Sequence, residues 1–179
     1  MKIYTGKGDE GETGLLYGNK VSKNSPLPEA YGTVDEAQAI LGLVRTECEK
    51  DSDLSKKIIH IERDLYVLMA ELATDPSHNH KLEDGKSKVS QKMISFLEEF
   101  IDEITANFEL PKEFVLPGQN RISALIDIAR TVVRRAERCA IACQIEGSLA
   151  IPYLNRLSDL LWAMARWQEG ESIASRSIE

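Results

Sequence analysis

A helical repeat of apolar residues covers most of the chain and is the feature that most constrains its fold. Apolar side chains recur at i, i+3, i+4 and i+7 in successive stretches, which is the pattern of helices that bury one face. We predict helices at residues 29–49, 53–74, 87–107, 119–146 and 151–169. Strand-like alternation is almost missing and the connections are short, so the simplest architecture is an antiparallel bundle.

Helix-breaking residues lie between the predicted helices. Pro76 ends the second helix, Pro117 and Gly118 precede the fourth, and Gly147 follows it. Proline lacks the backbone donor that a helix interior needs, and glycine favours a helix end. The predicted fold class is all-α: a five-helix antiparallel bundle of ferritin-like type, forming a single domain over residues 1–179.

Residues 1–28 differ in composition from the predicted bundle at 29–170, because turn-forming residues dominate there. Three glycines match G-x-G-x-x-G, but no buried strand precedes them and no crossover helix follows, so a dinucleotide fingerprint is not supported. The segment instead suits phosphate binding through backbone amides, hydroxyls and ammonium groups. The alternative is a flexible N-terminal arm. The residues concerned are Thr5, Gly6, Lys7, Gly8, Gly11, Thr13, Gly14, Lys20 and Lys23.

The overall charge excludes several classes of partner. The chain has 22 Lys and Arg against 29 Asp and Glu, a net charge of −7, which is the wrong sign for binding a nucleic-acid backbone or an anionic membrane. Signal-like and membrane-spanning apolar runs are missing from the sequence. Three cysteines without a C-x-x-C pair support no disulfide framework. We expect a cytoplasmic protein that binds neither nucleic acid nor membrane.

Residues 118–142 reverse this charge: five arginines against two acids give +3 within a chain of −7. On a helical wheel Arg130, Arg134 and Arg138 share one arc, separate from the apolar arc. Stacked guanidinium groups repel one another unless carboxylates or a bound polyanion face them, and Glu137 is close enough to neutralise part of the charge. The arginines either form salt bridges to neighbouring helices or subunits, or bind a polyphosphate.

Three other polar residues have two interpretations each. Asp35, early in the first predicted helix, either caps that helix or holds an arginine. Asn155 and Asp159 share one face of the last helix. Asn155 is a surface amide or a ligand-binding group, and Asp159 is a partner of Arg156 or of another arginine.

Metal-ligating residues do not cluster in the sequence. His78 and His80 lie in a polar link without a third ligand at zinc spacing, and Cys139 and Cys143 have no histidine nearby. The Glu-x-x-His pairs of di-iron bundles are also missing. We predict no metal site, and we interpret both cysteines as packed free thiols.

Five segments together resemble the trimeric, five-helix ATP:cob(I)alamin adenosyltransferases of the propanediol-utilisation type. They are YTGKGDEGETG at 4–14, YGTVDE at 31–36, FVLPG at 114–118, ARTVVRRAER at 129–138 and YLNRLSDLL at 153–161. The resemblance covers nearly the whole chain. Its most specific parts are RRAER and LNRLSD.

The resemblance implies which residues bind ATP. The N-terminal loop would fold over the nucleotide, while the arginine helix and the last helix would complete the site. The implied ligands are Thr5, Gly6, Lys7, Gly8, Thr13, Gly14, Lys23, Arg134, Arg135, Ala136, Glu137, Arg138 and Asn155.

The resemblance also implies four catalytic residues. Arg130 and Arg134 belong to the arginine helix, and Asp35 would pair with Arg130 across a subunit interface. Phe114 would occupy the space beneath the corrin ring where the lower axial base would otherwise sit. An apolar group there would exclude that ligand and make the cobalt easier to reduce.

The implied reaction transfers the 5′-deoxyadenosyl group of ATP to cob(I)alamin, giving adenosylcobalamin and triphosphate. Co(I) is itself a strong nucleophile, so the protein would hold it in line with the 5′-carbon and stabilise the departing triphosphate, with Mg²⁺ helping. The implied partners are two further copies of the chain with sites at their interfaces, a reductase, and an adenosylcobalamin-dependent enzyme. The alternatives are a carrier or sensor trimer that delivers adenosylcobalamin, and a structural bundle with a basic stripe.

Two positions depart from the family pattern. Gly6 stands where a basic residue is frequent, which would weaken a phosphate contact unless Lys7 substitutes for it. Gln119 and Asn120 follow Gly118 where a second glycine is usual, which would alter the loop near the corrinoid.

Overall fold

The structure is a computed structural model that describes residues 3–176, so residues 1–2 and 177–179 of the predicted domain lie outside the described part. All five predicted helices are present, and the predicted all-α class is confirmed. They are α1 (Pro26–Glu47), α2 (Asp53–Leu72), α3 (Gln91–Asn107), α4 (Arg121–Cys143) and α5 (Ala150–Glu169), with a short 3₁₀ helix at Pro76–Lys81.

Helix α4 lies at the centre of the bundle, where it packs against both α1 and α5. Helix α1 also packs against α2, and α5 packs against α3. An ion pair between Glu47 and Arg121 joins the end of α1 to the start of α4, so the two helices run antiparallel. Fully buried side chains fill the space between the helices, including Leu41, Ile58, Ile61, Leu65, Leu68, Leu97, Ile126, Val133, Leu157 and Leu161.

Three helix ends differ from the prediction by three or four residues. Helix α1 begins at Pro26 rather than residue 29, because a proline is tolerated in the first turn, where its missing N–H needs no partner. Helix α3 begins at Gln91 rather than residue 87, since the backbone of residues 86–88 turns back to the carbonyl of Glu83. Helix α4 ends at Cys143 rather than residue 146, because Gln144 has a left-handed backbone with φ 49°.

Four short strands form two antiparallel pairs that the sequence did not predict. Strand β1 (Glu12–Gly14) pairs with β2 (Lys20–Ser22), and β3 (Val115–Leu116) pairs with β4 (Ile173–Ala174). Strands of two or three residues are too short to show alternation in a sequence. The second pair joins the segment before α4 to the segment after α5.

The first hairpin is fixed to the end of α2. Leu15 is buried, and the backbone N–H of Leu16 donates to the carbonyl of Ala73 at 2.8 Å. In return, the N–H of Asp75 donates to the carbonyl of Leu16 at 3.1 Å, and the Asp75 carboxylate accepts from the N–H of Asn19 at 3.2 Å. The flexible-arm alternative is therefore wrong for the part of the N-terminal segment that forms this hairpin.

Asp75 is central to the contact between the first hairpin and the end of α2. Hydrogen bonds from the hydroxyl and the N–H of Ser77 hold the pKa of the Asp75 carboxyl at about 2. Gly18 lies against the same carboxylate, and a Cβ atom added there would be 2.2 Å from Asp75 Oδ2. Only a residue without a side chain fits at that position.

No helix within residues 3–176 is long and apolar enough to cross a membrane. The thiols of Cys48, Cys139 and Cys143 are free, which agrees with the free-thiol interpretation of Cys139 and Cys143. Burial raises the pKa of the Cys143 thiol to about 11. This thiol donates to the carbonyl of Pro26 at 3.4 Å, which places the start of α1 beside the end of α4.

Candidate functional site

The two faces of α4 are separated as the sequence predicted. The apolar face is buried, and Ala129, Val133 and Ala136 have no exposed surface. Arg134 and Arg138 lie exposed on the outside, one turn apart, and the Arg138 guanidinium donates to the carbonyl of Arg134 at 2.9 Å. Within residues 3–176 neither of these arginines forms an ion pair. Two positive charges therefore stand side by side on the surface, where an anion can approach them.

Ala136 differs from the other predicted ATP ligands. Its side chain is fully buried in the core, between helices that pack on the apolar face of α4. A buried methyl group cannot contact a ligand on the exposed face. The helical period turns the side chain of Ala136 away from its neighbours. Its assignment as an ATP ligand stays a prediction.

Arg135 points to α1, where it forms an ion pair with Glu36. A cavity of about 340 Å³ lies next to this pair, at the junction of α1 and α4. Its lining includes Arg135 and Arg138 on α4, and Asn24 and Glu29 at the start of α1. Arg135 and Arg138 thus share a concave surface that is open to a ligand.

Glu137 forms no ion pair with the arginines of α4 among the described residues, although the sequence had indicated that it could neutralise part of their charge. Its carboxylate accepts from the side-chain amide of Asn155 on α5, at 3.2 Å. The bond links α4 and α5 on the surface, next to Arg134 and Arg138. Asn155 consequently lies beside the predicted phosphate ligands, and its role as a nucleotide ligand stays a prediction.

The glycine-rich loop is organised around Lys23. The backbone N–H of Lys23 donates to the carbonyl of Gly11 at 2.8 Å, and the N–H of Gly11 donates to the carbonyl of Gly8 at 3.2 Å. A Cβ atom on Gly8 would lie 2.9 Å from the Lys23 ammonium, so a larger residue there would displace the end of the lysine side chain. The loop places a cation against exposed backbone, and its predicted role in phosphate binding stays a prediction.

The other predicted loop residues occupy two parts of this segment. Thr5 and Lys7 are exposed near its start, where the Lys7 N–H lies 3.5 Å from the Thr5 hydroxyl. Thr13 and Gly14 belong to β1, paired with β2. Lys20 forms a surface ion pair with Glu12 at 3.3 Å, so its charge is already partly neutralised.

Both departures from the family pattern have a local physical reason. Gly6 has φ +69°, a backbone conformation that favours glycine over any residue with a side chain. Asn120 caps α4 by accepting from the N–H of Ser123 at 2.9 Å, and it donates to the carbonyl of Gln168 at 2.7 Å. Asn120 therefore fixes both the start of α4 and its contact with the end of α5.

The structure does not bring Asp35 and Arg130 together within one chain. Arg130 is half-buried and donates through Nε to Asp127 on its own helix, at 2.9 Å. Asp35 is exposed on α1 and forms no ion pair with the described residues. Pairing across a subunit interface stays a prediction.

Phe114 lies near the end of the bundle opposite the arginine cluster. It precedes β3, and its ring is 86% exposed. A cavity of about 420 Å³ beside it is lined by Glu113, Phe114, Ser175 and Arg176. An exposed aromatic ring next to a large opening can pack against a flat apolar ligand.

Asp159 pairs with Arg156 at 2.9 Å, which is the structural role weighed from the sequence. Among residues 3–176 no three His, Cys, Asp or Glu side chains come close enough to hold a metal ion. His78 and His80 lie in the 3₁₀ helix Pro76–Lys81, with ring centroids 5.9 Å apart.

The sequence analysis missed a buried group of charges near Arg130. Arg166 on α5 is 2% exposed and contacts Asp127 at 2.5 Å. Glu169 lies 2.8 Å from the Arg166 Nε. The available signal was Arg166 itself, a charged residue in the apolar run LLWAMARW.

A second missed polar contact lies between α2 and α5. Tyr153 is fully buried and donates to the Asp64 carboxylate at 3.4 Å. Burial raises the pKa of the Asp64 carboxyl. Asp64 also lines a cavity of about 330 Å³ with His60 and Phe96, whose rings stack at 3.8 Å.

The structure is a helical bundle in which two arginines of α4, Arg134 and Arg138, have no ion pair within residues 3–176, with a glycine- and lysine-containing loop at its N-terminus. This class of arrangement suits the binding of a small polyanion. The family model of cobalamin adenosyltransferases matches residues 3–168. This chain belongs to the cobalamin adenosyltransferase family, and the resemblance inferred from its motifs is confirmed.

Relatives match over almost their full lengths. The corrinoid adenosyltransferase of Citrobacter freundii is 40% identical over 171 residues, covering 94% of this chain and 95% of that protein. The corrinoid adenosyltransferase of Bacillus subtilis is 37% identical over 172 residues, covering 93% of this chain and 86% of that protein.

A solved structure has the same fold. It is a phenylalanine-to-alanine variant of the PduO-type ATP:corrinoid adenosyltransferase of Lactobacillus reuteri, complexed with cobalamin and ATP. It superposes with a TM-score of 0.87 at 31% identity, covering 98% of this chain and all of that one.

Proposed function

We propose that this protein transfers the 5′-deoxyadenosyl group of ATP to the cobalt of a reduced corrinoid. Co(I) donates an electron pair to the 5′-carbon of ATP and forms the Co–C bond. The bond between that carbon and the triphosphate oxygen breaks, and its electron pair leaves with the triphosphate. The products are adenosylcobalamin and triphosphate.

The observation that carries the proposal is the pair of exposed, unpaired arginines on α4. Arg134 and Arg138 are partnered by no carboxylate within the described residues, which leaves their charge for a ligand. The Cys143–Pro26 contact places the start of α1 at the same end of α4, and Lys23 lies three residues before Pro26. Arginines on one side and the lysine loop on the other suit a triphosphate.

These groups act on the leaving group rather than on the nucleophile. Negative charge builds on the triphosphate oxygen as the bond to the 5′-carbon breaks, and fixed cations stabilise it. Asn155, held by Glu137, orients the bound nucleotide next to them. No residue needs to remove a proton, because the attacking cobalt carries no proton to lose.

Mg²⁺ fits this site as a companion of the triphosphate. Magnesium is usually held by one or two carboxylates together with substrate phosphates. Glu137 is the carboxylate next to Arg138 and Asn155, and residues 3–176 contain no cluster of three ligating side chains that would form a separate protein site. When bound, Mg²⁺ would neutralise phosphate charge.

Phe114 binds the corrinoid in this proposal. An apolar ring beneath the cobalt excludes water and the lower axial base, which favours the reduced metal. Two solved relatives are alanine and histidine variants at a phenylalanine of a PduO-type ATP:corrinoid adenosyltransferase, each complexed with cobalamin and ATP.

The complete site requires more than one chain. Phe114 lies near the start of α4, while Arg134 and Arg138 lie 13 and 17 residues beyond Arg121. At 1.5 Å per residue this separation is about 20 to 26 Å along the helix axis. A homotrimer with sites at its interfaces would bring the groups together, with Asp35 of one copy pairing with Arg130 of another.

The trimer is tested by Asp35→Asn, with Asp53→Asn as the matched control. Asp53 is also an exposed helical aspartate, but its partner Lys57 is on its own helix at 3.0 Å. Sedimentation should show a weakened trimer only for Asp35→Asn. An unchanged assembly in that variant would contradict the interface pair.

We further propose a cytoplasmic location, supported by the three free thiols. The remaining partners are a reductase that supplies Co(I) and an enzyme that uses adenosylcobalamin. Both are required by the chemistry, since the reaction consumes a reduced corrinoid and produces a cofactor.

The decisive experiment mixes the protein with ATP, Mg²⁺ and chemically reduced cob(I)alamin. Loss of the cob(I)alamin absorbance together with release of triphosphate supports the transferase. Bound ATP with no spectral change would indicate the carrier or sensor instead.

Arg134→Ala tests the site itself. ATP affinity should fall at least about tenfold, because one charge-assisted contact contributes about 1.5 to 3 kcal/mol. Arg63→Ala removes an exposed arginine from α2 and serves as the control. Equal ATP affinity in both variants would favour a bundle whose basic stripe is only structural.

A further inference from the structure

We infer that Asp127 is a positioning residue for Arg130, and that Arg166 and Glu169 join it to the segment that carries Phe114. These four charged residues are called the ionic network below. The inference rests on the proposed function for the roles of Arg130 and Phe114. Its physical basis is a continuous chain of contacts between them.

Asp127 uses its two carboxylate oxygens for two different arginines. Oδ1 accepts from the Arg130 Nε at 2.9 Å, and Oδ2 accepts from the Arg166 Nη2 at 2.5 Å. The Asp127 side chain is only 7% exposed, so water does not compete for these contacts. Arg130 is held along its Nε edge, which leaves its terminal nitrogens for another anion.

Arg166 continues the network to the end of α5. Its Nη2 also donates to Glu169 Oε2 at 3.1 Å, and the Glu169 side chain has no exposed surface. The hydroxyl of Ser172 then donates to Glu169 Oε1 at 2.5 Å. Glu169 thus connects the buried arginine to the residue immediately before β4.

Strand β4 connects this end of the network to Phe114. It pairs with β3, and the N–H of Ser175 donates to the carbonyl of Phe114 at 2.7 Å. Asn120 ties the start of α4 to the carbonyl of Gln168 at 2.7 Å, so the same region is joined twice. The ionic network, Ser172 and the β3–β4 pair together therefore connect Arg130, the predicted interface arginine, to Phe114, the predicted corrinoid contact.

The contacts of the ionic network constrain one another. A buried charge that loses its partner is strongly unfavourable, so each ion pair constrains the next. Moving Arg130 would leave Asp127 with one partner, and releasing Glu169 would leave Arg166 with one. Arg130 and the β3–β4 pair consequently keep fixed positions before any substrate binds.

The first test uses Asp127→Asn, a change of nearly constant shape. Turnover with ATP and cob(I)alamin should fall about tenfold with the KM for ATP changed less than about threefold, because small misplacement of a catalytic group lowers kcat steeply. Asp64→Asn is the control, since Asp64 is a similarly buried aspartate outside the network. Its turnover should match that of the unaltered protein.

A double-mutant cycle shows whether Asp127 acts through Arg130. In an Arg130→Lys background, Asp127→Asn should lower turnover less than about twofold further. A full tenfold loss in that background, or no loss in the unaltered protein, would overturn the positioning role.

The second test needs no catalytic activity, and it therefore separates this inference from the proposed function. Glu169→Gln should speed hydrogen exchange of the Ser175 amide about tenfold, because local opening of the strand pair becomes easier. Glu171→Gln changes an exposed glutamate two residues away and serves as the control. Equal exchange in the two variants would overturn the link to Phe114, even in a protein that transfers adenosyl groups.

Discussion

The side-chain amide of Asn155 on α5 donates to the carboxylate of Glu137 on α4 at 3.2 Å. Because of this contact, the predicted nucleotide site includes residues of both α4 and α5. It also keeps Glu137 engaged on the α5 side, so that Arg134 and Arg138 remain free of an ion pair within residues 3–176.

Replacing Asn155 with alanine should weaken ATP binding. The variant removes a polar contact for the nucleotide and frees Glu137 to pair with a neighbouring arginine. We expect a loss of about tenfold in affinity, equivalent to about 1.4 kcal/mol, measured by calorimetry. Asn107→Ala is the control, since Asn107 is an exposed helical asparagine that donates only to the carbonyl of Glu103. Equal ATP affinities of the Asn155→Ala and Asn107→Ala variants would exclude Asn155 from the site.

Replacing Phe114 with alanine should lower turnover and change the cob(II)alamin spectrum of the complex. Without the ring, water or the lower base can reach the cobalt, which makes reduction harder. The measurements are the steady-state rate with a chemical reductant and the spectrum of bound cob(II)alamin in the presence of ATP. Tyr66→Ala removes another exposed aromatic ring, on α2, and should leave both unchanged. If Phe114→Ala also leaves both unchanged, the assigned role is wrong.

Asp75 should contribute pH-dependent stability to the docked hairpin. Its pKa is lowered from 3.8 to about 2, mainly by the hydrogen bonds from Ser77. A lowered carboxyl pKa stabilises the fold above the unfolded value, and the contribution is lost as the pH falls from about 4 to about 2. Asp75→Asn should therefore reduce the unfolding temperature at pH 6 and have little effect near pH 2.

Two outcomes check the Asp75 assignment. Ser77→Ala should narrow the pH range of the stabilisation, because the main cause of the lowered pKa is removed. The unfolding temperatures of the unaltered protein and of Asp75→Asn should differ less at pH 2 than at pH 6. An equal difference at the two pH values would contradict the assignment.

Cys143 should react slowly with alkylating reagents. Its pKa is raised to about 11 by burial, so at pH 8 only about one thiol in a thousand is the reactive thiolate. Peptide mass spectrometry after timed iodoacetamide treatment measures the rate at this site. Labelling should accelerate as the pH approaches 11, and also in the unfolded chain, where the ordinary value of 9.0 applies. Fast labelling of the folded protein at pH 8 would contradict the buried environment.

The helices could be predicted because their signal is local. On α4, the apolar period identifies Ala129 and Val133 as core residues, and the same period places Arg134 and Arg138 on the opposite side. The motif resemblance then identified the family. Helix ends were less accurate, because capping at positions such as Gln144 depends on backbone conformations that side-chain patterns do not specify.

The first hairpin could not be predicted because its main partner is distant in sequence. Asn19 is 56 residues from Asp75, whose carboxylate it contacts. Nothing in the composition of the glycine-rich segment indicates that contact. The composition of the segment therefore did not decide between an ordered loop and a flexible arm.

The sequence by itself determined the five helices, the buried and charged faces of α4, and membership in the cobalamin adenosyltransferase family. These follow from periodicity and from motifs, which are properties of neighbouring residues. The tertiary structure decided which charges are free. Arg130 and Arg166 share Asp127, Arg135 pairs with Glu36, and Arg134 and Arg138 keep their charges unpaired in the described chain. The physical reason is that an ion pair requires two groups to meet in space, and here most of those groups lie on different helices.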